Sequence, residues 1–483
     1  MVGLCVFFVC TVSLLVGYIV YGRLAERVYG MKLDMVMPCV RQYDGVDYVA
    51  LPTWKIFLIQ LLNIAGLGPV VGAVSGCLFG PIALLWIVLG CLFAGAVHDF
   101  LAALLSLEYQ GAGLPDVMGK VMGKRARQFF SLVCVFLLVM VGVVFTLLPA
   151  GMLQTLLPAW GLNVLGWSSL IMLYYFLATI LPIHTIIGRI YPLFGAIFLF
   201  MAVGLLVGLP LSGYEVLPVL DVTAITHPQG IGAWPMIFVT IACGAISGFH
   251  ATQSPMMVRC LKQAGNMRRV FYGAMVVEGL VALIWATVGL SLRDIIFDCA
   301  GEAMSFAQIS VKSPSLAINV ACRELLGESG ALLAVLGVVV LAITSGDTAM
   351  RSCRLILAEM LSVQQKRTFS RLALAVPLFV VVIIISQLDF SVIWRYFGWA
   401  NQALACLTLW CVTLHLRRHG RNCWMSLVPA LFMTTVCITF LLYASECGIG
   451  LPLTLATLVG GCVTAALGLV FLFTCRTRDE SAE

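Results

Sequence analysis

The chain has 483 residues, 61% hydrophobic and 10% charged, with a mean hydropathy of +1.06. Soluble domains carry about 25% charged residues, so a soluble globular protein is excluded and the chain has to be read against a bilayer. The formal charge of +6, from 28 Lys and Arg against 22 Asp and Glu, is read as a topology signal once mapped onto loops, and no nucleic-acid partner is implied.

Apolar runs long enough to cross a bilayer, about 20 residues each, lie near residues 2–20, 55–78, 81–106, 128–150, 166–186, 189–210, 233–257, 268–291, 330–350, 370–386, 391–414, 424–445 and 450–474. These thirteen runs predict an all-α integral membrane protein. A β-barrel is excluded, because its strands would alternate in polarity over about ten residues. The first run, Val2 to Val20, has no basic residue before it and Arg23 and Arg27 after it. That is the reverse of a secretory signal peptide, so residues 1–24 are expected to be a retained first helix.

If the spans alternate strictly, one side receives every Lys and Arg except Arg293, Lys312, Arg323 and Arg395. The positive-inside rule then puts the C-terminus in the cytoplasm and the N-terminus outside, in a cell inner (plasma) membrane. The longest outside segment, 292–329, carries Asp294, Asp298, Glu302, Glu324 and Glu328 and a helix-like stretch from Pro314 to Leu326, expected as a lid or interfacial helix. Cys299 and Cys322 fall in it, either as a disulfide or as two free thiols. The eighteen cysteines include no Cys-x-x-Cys pair, and most sit in apolar runs as small hydrophobes, so no metal, redox or cofactor site follows.

Two spans are interrupted. The second contains NIAGLGPVVG from Asn63 and the seventh CGAISGFHATQSP from Cys243. Pro69 lacks an N–H and clashes with the preceding turn, while Gly66 and Gly68 tolerate backbone angles a helix forbids, so carbonyls near Ala65 are expected to be freed. Ser247-Gly248 interrupts the seventh span near its middle. Irregular backbone at membrane depth is tolerated only where it is buried in protein or lines a watery cavity, and paired interrupted helices are the best pointer to a transporter site. Five spans in 55–210 would match five in 233–414, starting on opposite sides, with one extra helix before and two after at 424–474. That is a leucine-transporter-like 5+5 inverted repeat with broken helices 2 and 7. The Gly68, Gly72, Gly76 and Gly80 series would equally permit close helix packing.

Intramembrane ionisable groups are functional candidates by default. Glu278 lies about ten residues into the eighth span, as a protonatable coupling carboxylate or a salt-bridged structural one. His98 and Asp99 lie in the third span; adjacent helix residues point about 100° apart, so separate partners are expected. The ninth span carries Thr344, Ser345 and Asp347, hard oxygen ligands suited to Na⁺ or a proton acceptor, with an Asp347–Arg351 pair at i, i+4 as the alternative. In the seventh span Ser247, His250, Thr252, Gln253 and Ser254 place polar groups within two turns. Asn401 and Gln402 in the eleventh either line a pathway or bond to a neighbouring helix.

These motifs resemble the carbon starvation protein A (CstA) family: DGVDYV from Asp44, IAGLGPVVG from Ile64, GAVHDF from Gly95, SGFHATQSP from Ser247, EGLVALIWA from Glu278, TSGDTAMRSCR from Thr344 and FGWANQALA from Phe397. The resemblance spans about residues 40–410 and implies a secondary transporter for peptides or, in some members, pyruvate with protons. It carries family motif positions to Gly66, Gly68, Pro69, His98, Asp99, Ser247, His250, Glu278, Thr344, Asp347, Asn401 and Gln402. The chain is shorter than the large family members, which have a longer C-terminal region.

The expected function is therefore cation-coupled import of a small peptide or carboxylate by alternating access, H⁺ favoured over Na⁺. Half-helix N-termini would hold a substrate carboxylate through their partial positive charge. Gly66, Gly68, Pro69, Ser247, Gly248, His250, Thr252, Gln253, Asn401 and Gln402 are the expected substrate-binding set. Coupling would fall to Glu278, Asp347, His98 and Asp99 for protons, or to Thr344, Ser345 and backbone near Ala65 for Na⁺. A passive channel or nutrient sensor on the same architecture is the alternative. An intramembrane hydrolase is disfavoured, because the sequence has no His-Glu-x-x-His or Gly-x-Ser-x-Gly and Ser345-Gly346-Asp347 lacks the leading Gly of the aspartyl protease pattern.

Overall fold

The computed structural model describes residues 2–29, 35–181, 187–300, 314–445 and 448–474. Among them every regular element is helical. Ten helices are long and apolar enough to cross a membrane, or eleven if one bent pair counts as a single span. In chain order the main helices are α1 (Val2–Tyr29), α2 (Thr53–Ile64), α3 (Gly68–Leu78), α4 (Ile82–Glu108), α5 (Lys124–Leu156), α6 (Val164–Ile180) and α7 (Ile187–Leu211). They continue with α8 (Met236–Thr240), α9 (Gly248–Val258), α10 (Ala264–Ser291), α11 (Pro314–Met360), α12 (Thr368–Ile385), α13 (Phe390–Arg418), α14 (Trp424–Tyr443) and α15 (Leu453–Thr474).

A helix that is apolar all round belongs inside a bundle or a membrane, and burial separates the two cases. In α4 and α10, 89% and 83% of the apolar stretch is buried by protein, against 22% in α1 and 17% in α15. The first two form the centre and the last two the lipid-facing periphery. Around that centre α11 packs along α5 and α7, α9 lies between α4 and α13, and α14 and α15 stack outward from α13.

Both interruptions are present. Between α2 and α3 the chain bends by 54°; α3 opens with a π-helical turn over Gly68–Gly72 that contains Pro69. The seventh run divides into α8 and α9, with non-helical backbone from Ile241 to Ser247. Each piece, like the 17-residue α6, is too short to count as a membrane span by itself. The two breaks pack against each other. A Cβ on Gly68 would meet Cys243 Cβ at 2.2 Å, and one on Gly72 the Thr240 carbonyl oxygen at 2.6 Å. The glycine series thus serves close packing as well as the break.

The ninth run extends well beyond 330–350. A helix begins at Pro314, as the sequence suggested, breaks at Gly327 with φ 64°, and continues to Met360. The side chain of Cys299, and with it any pairing to Cys322, lies outside the described residues, as does Glu302.

Candidate functional site

Three polar clusters occupy the bundle interior. The first joins α4, α9 and α10. Asp99 accepts from His98 Nδ1 at 2.8 Å through Oδ1 and from His250 Nδ1 at 2.9 Å through Oδ2. The other ring nitrogen of His250, Nε2, lies 3.5 Å from Glu278 Oε2. All four side chains have zero solvent exposure, and neither Glu278 oxygen has a hydrogen-bond partner. The expectation of separate partners for His98 and Asp99 is corrected here. Their Cα–Cβ bonds diverge, but the two-bond reach of the imidazole brings Nδ1 back to the neighbouring carboxylate. His250 lies in the first turn of the α9 half-helix, so the chain Glu278–His250–Asp99–His98 is anchored within a turn of a break. Among the described residues no three His, Cys, Asp or Glu converge as ligands of one ion.

The second cluster surrounds Asp347 on α11. Tyr174 donates to Asp347 Oδ2 at 2.7 Å and Tyr191 OH lies 3.0 Å from Oδ1. Tyr191 OH also lies 3.0 Å from the Thr344 carbonyl and 3.3 Å from Asn63 Oδ1. The Asp347–Arg351 pair does not form; Arg351 points the other way and binds Asp47 at 3.2 Å. Beside this cluster, Thr344 and Ser345 hydroxyls donate to the Leu62 carbonyl at 2.9 and 3.1 Å. A broken-helix carbonyl does meet both hydroxyls, but it belongs to Leu62, one turn before Ala65. The Ala65 N–H still bonds to Leu61, so the helical ladder fails just after that residue.

The third cluster holds the seventh-run break open. Asn401 Oδ1 accepts from Ser247 Oγ at 3.0 Å and from the Phe249 N–H at 2.8 Å. It acts as an N-cap supplied by another helix, since Ser247 itself makes no capping bond. Gln402 Nε2 donates to the Phe238 carbonyl at 2.7 Å in α8. Two adjacent residues of α13 therefore satisfy backbone on both sides of one break. Of the open alternatives for Asn401 and Gln402, bonding to a neighbouring helix is what the structure contains.

Gly248 lets α13 approach, because a Cβ there would lie 2.5 Å from the Asn401 carbonyl oxygen. Thr252 and Gln253 bond locally, Thr252 to the Phe249 carbonyl and Gln253 to Thr252. Gly66 packs on Phe145 and Ser345, and Pro69 is buried. Phe145 contacts Phe249 and Phe397 edge-on, closing the region between the breaks. The substrate-binding and coupling sets thus divide among three clusters instead of lining one open pocket.

Sequence reasoning did not single out Tyr174, Tyr191 and Asn63. Asn63 was accessible to it, as a polar residue inside an apolar span. The tyrosines were not, since their rings fit the apolar run and only the hydroxyls reach Asp347.

This is a multi-pass helical membrane protein with buried ionisable side chains and two broken helices, and its overall fold resembles that of solved membrane transporters. Structures of mutants of a manganese transporter from Eremococcus coleocola superpose with TM-scores of 0.52 and 0.53 at 14% identity, covering 89% of this chain and 97% of that one. That likeness concerns the fold. Residues 2–165, 153–320 and 295–440 match the family described as Carbon starvation protein CstA, and the chain belongs to that family. An uncharacterized membrane protein of Haemophilus influenzae is 40% identical over 337 residues, 60% of this chain and 91% of that protein. The peptide transporter CstA of Escherichia coli is 24% identical over 558 residues, 88% of this chain and 78% of that protein. The pyruvate/proton symporter BtsT of the same organism is 28% identical over 351 residues, 58% of this chain and 48% of that protein.

Proposed function

We propose that the protein is a secondary active carrier importing small peptides or a small carboxylate such as pyruvate, driven by protons. The observation that carries this reading is the buried chain Glu278–His250–Asp99–His98 across α4, α9 and α10. Two carboxylates and two imidazoles with no exposure are neutral together only when the cluster holds two protons beyond those of the neutral imidazoles, and each of these lost leaves a buried charge to be met by movement. Relatives named as a peptide transporter and as a pyruvate/proton symporter support the substrate class and the ion.

In this reading α6, α8 and α9 also belong to membrane-crossing segments, giving thirteen. The helices α2 to α7 and α8 to α13 are the two halves of a 5+5 inverted repeat, and α1, α14 and α15 are additions. The N-terminus is outside and the C-terminus cytoplasmic, in the inner (plasma) membrane. Substrate binds between the breaks, at the N-terminal end of α9, with Gly66, Gly68 and Ser247 closest to it.

The test is uptake of radiolabelled pyruvate and of a mixed di- and tripeptide pool into proteoliposomes, with proton and Na⁺ gradients imposed separately. Accumulation driven by the proton gradient is the expected result. Accumulation under Na⁺ alone would transfer coupling to the α11 hydroxyls, and passive equilibration would replace the carrier with a channel.

A further inference from the structure

A fourth buried cluster, at the end of α11 beyond Asp347, is not used by the carrier chemistry above. Asp44 Oδ1 accepts the backbone N–H groups of Val46, Asp47 and Tyr48 at 2.8 to 2.9 Å, folding DGVDYV into a tight turn that aims Asp47 inward. Asp47 Oδ1 lies 3.2 Å from Arg351, and Oδ2 lies 3.8 Å from Arg354. Arg371, from the first turn of α12, lies within electrostatic reach of Arg354. Arg259 completes the group and pairs with Glu359 at 3.2 Å.

Three guanidinium groups thus pair with two carboxylates, and Arg371 adds a fourth positive charge beside Arg354. Arg351, Arg354 and Arg371 are 1%, 0% and 7% exposed. Arg351 spends one nitrogen on the Ala178 and Leu181 carbonyls, Arg354 one on Gln365, and Arg371 one on Thr368. Nε of all three, with Nη2 of Arg354 and Nη1 of Arg371, has no hydrogen-bond partner. Excess buried positive charge with unused donors is costly as a purely structural arrangement. Guanidinium is also the group best matched to a planar carboxylate.

We propose that Arg351, Arg354 and Arg371 form a binding site for a small carboxylate, which Asp47 occupies as a tethered substitute in this conformation. When the DGVDYV turn withdraws, the same donors receive the carboxylate of a substrate leaving the bundle along α11. The identity of that carboxylate rests on the carrier reading; the existence of the site does not. Asp47 is then a competitor whose removal exposes the site.

The experiment uses the purified full chain in detergent and follows its melting temperature in sodium pyruvate, sodium acetate and NaCl at equal ionic strength. D47N is expected to melt below wild type in NaCl, and to recover through a saturable upward shift, on the order of 2 °C, with pyruvate or acetate. Wild type should shift much less, and D47N/R354Q/R371Q no more than wild type. Should D47N fail to fold, the charge-balanced D47N/R351Q protein keeps Arg354 and Arg371 and should show a smaller shift that is still saturable. No shift in either protein, or an equal shift in NaCl, overturns the site. Because the readout is binding without transport, failed uptake in proteoliposomes alongside a saturable shift would fault the carrier reading and leave the site standing.

Discussion

Replacing Asn401 by Ala removes the one acceptor shared by the Ser247 hydroxyl and the Phe249 N–H. Both donors are buried, and a buried donor left without a partner costs about 1–3 kcal/mol. Cys243 Sγ donates to the Ser247 oxygen at 3.4 Å and offers the hydroxyl proton no acceptor, so the loss falls on both the Ser247 O–H and the backbone N–H at the start of α9. Adding the small cavity left by the truncated amide, N401A should lose about 2–3 kcal/mol. S247A keeps the bond from Phe249 to Asn401 and should lose about 1 kcal/mol. In the double variant the shared bond is counted once, so its loss should fall short of the sum by about 0.5–1 kcal/mol. Equilibrium unfolding by SDS in mixed micelles measures all four proteins. An N401A protein within about 0.5 kcal/mol of wild type, or strictly additive losses, would refute Asn401 as the cap of the half-helix.

E278Q should abolish accumulation driven by a proton gradient while sparing equilibrium exchange of labelled substrate; wild-type accumulation would remove Glu278 from coupling. T344A should cost less than T344A/S345A, because either hydroxyl alone still serves the Leu62 carbonyl, and unfolding measurements should find the double loss larger than the two single losses combined. Burial works to raise the Asp47 carboxyl, but Arg351, Arg354 and Arg259 outweigh it and hold the group below the usual carboxylate value. Its stabilising contribution is therefore complete above the unfolded value near about 3.9 and is lost as pH falls through the lowered native value. The stability gap between wild type and D47N should be flat above about pH 5 and narrow below about pH 4, and a gap that widens in acid would contradict the ion pairing.

The all-helical membrane class and both breaks were legible because they depend on local chemistry: continuous apolar runs, Pro69 among glycines, Ser247-Gly248 inside an apolar helix. The intramembrane polar residues were legible for the same reason, since each is out of place in its own run. Their pairing was not. Arg351 was one turn from Asp347 and looked like its partner, yet a long guanidinium stem reaches Asp47, 304 positions away in the chain. His98 and Asp99 were separated by helical geometry and rejoined by side-chain reach. Asn401 and Gln402 could be recognised as polar, but their acceptor and donor roles depend on where α8 ends and α9 begins. Only the assembled backbone fixes those ends.

Placing His250 one turn from a break gives the proposed coupling a physical route. Its ring bonds Asp99 on α4 and faces Glu278 on α10, while the first residues of the same half-helix hang from Asn401 on α13. A change in the charge of the cluster bears directly on these contacts, since Asp99 and Glu278 face each other across the His250 ring. The element placed to respond is α9, because it is a short helix joined to α8 by backbone outside any helical ladder, whereas α4 and α10 run through as long helices. A ligand shifts such an equilibrium only by its differential affinity for the two positions. Substrate at the α9 N-terminus and protons on the cluster would act on the same short helix, so each would change the affinity for the other by the same factor.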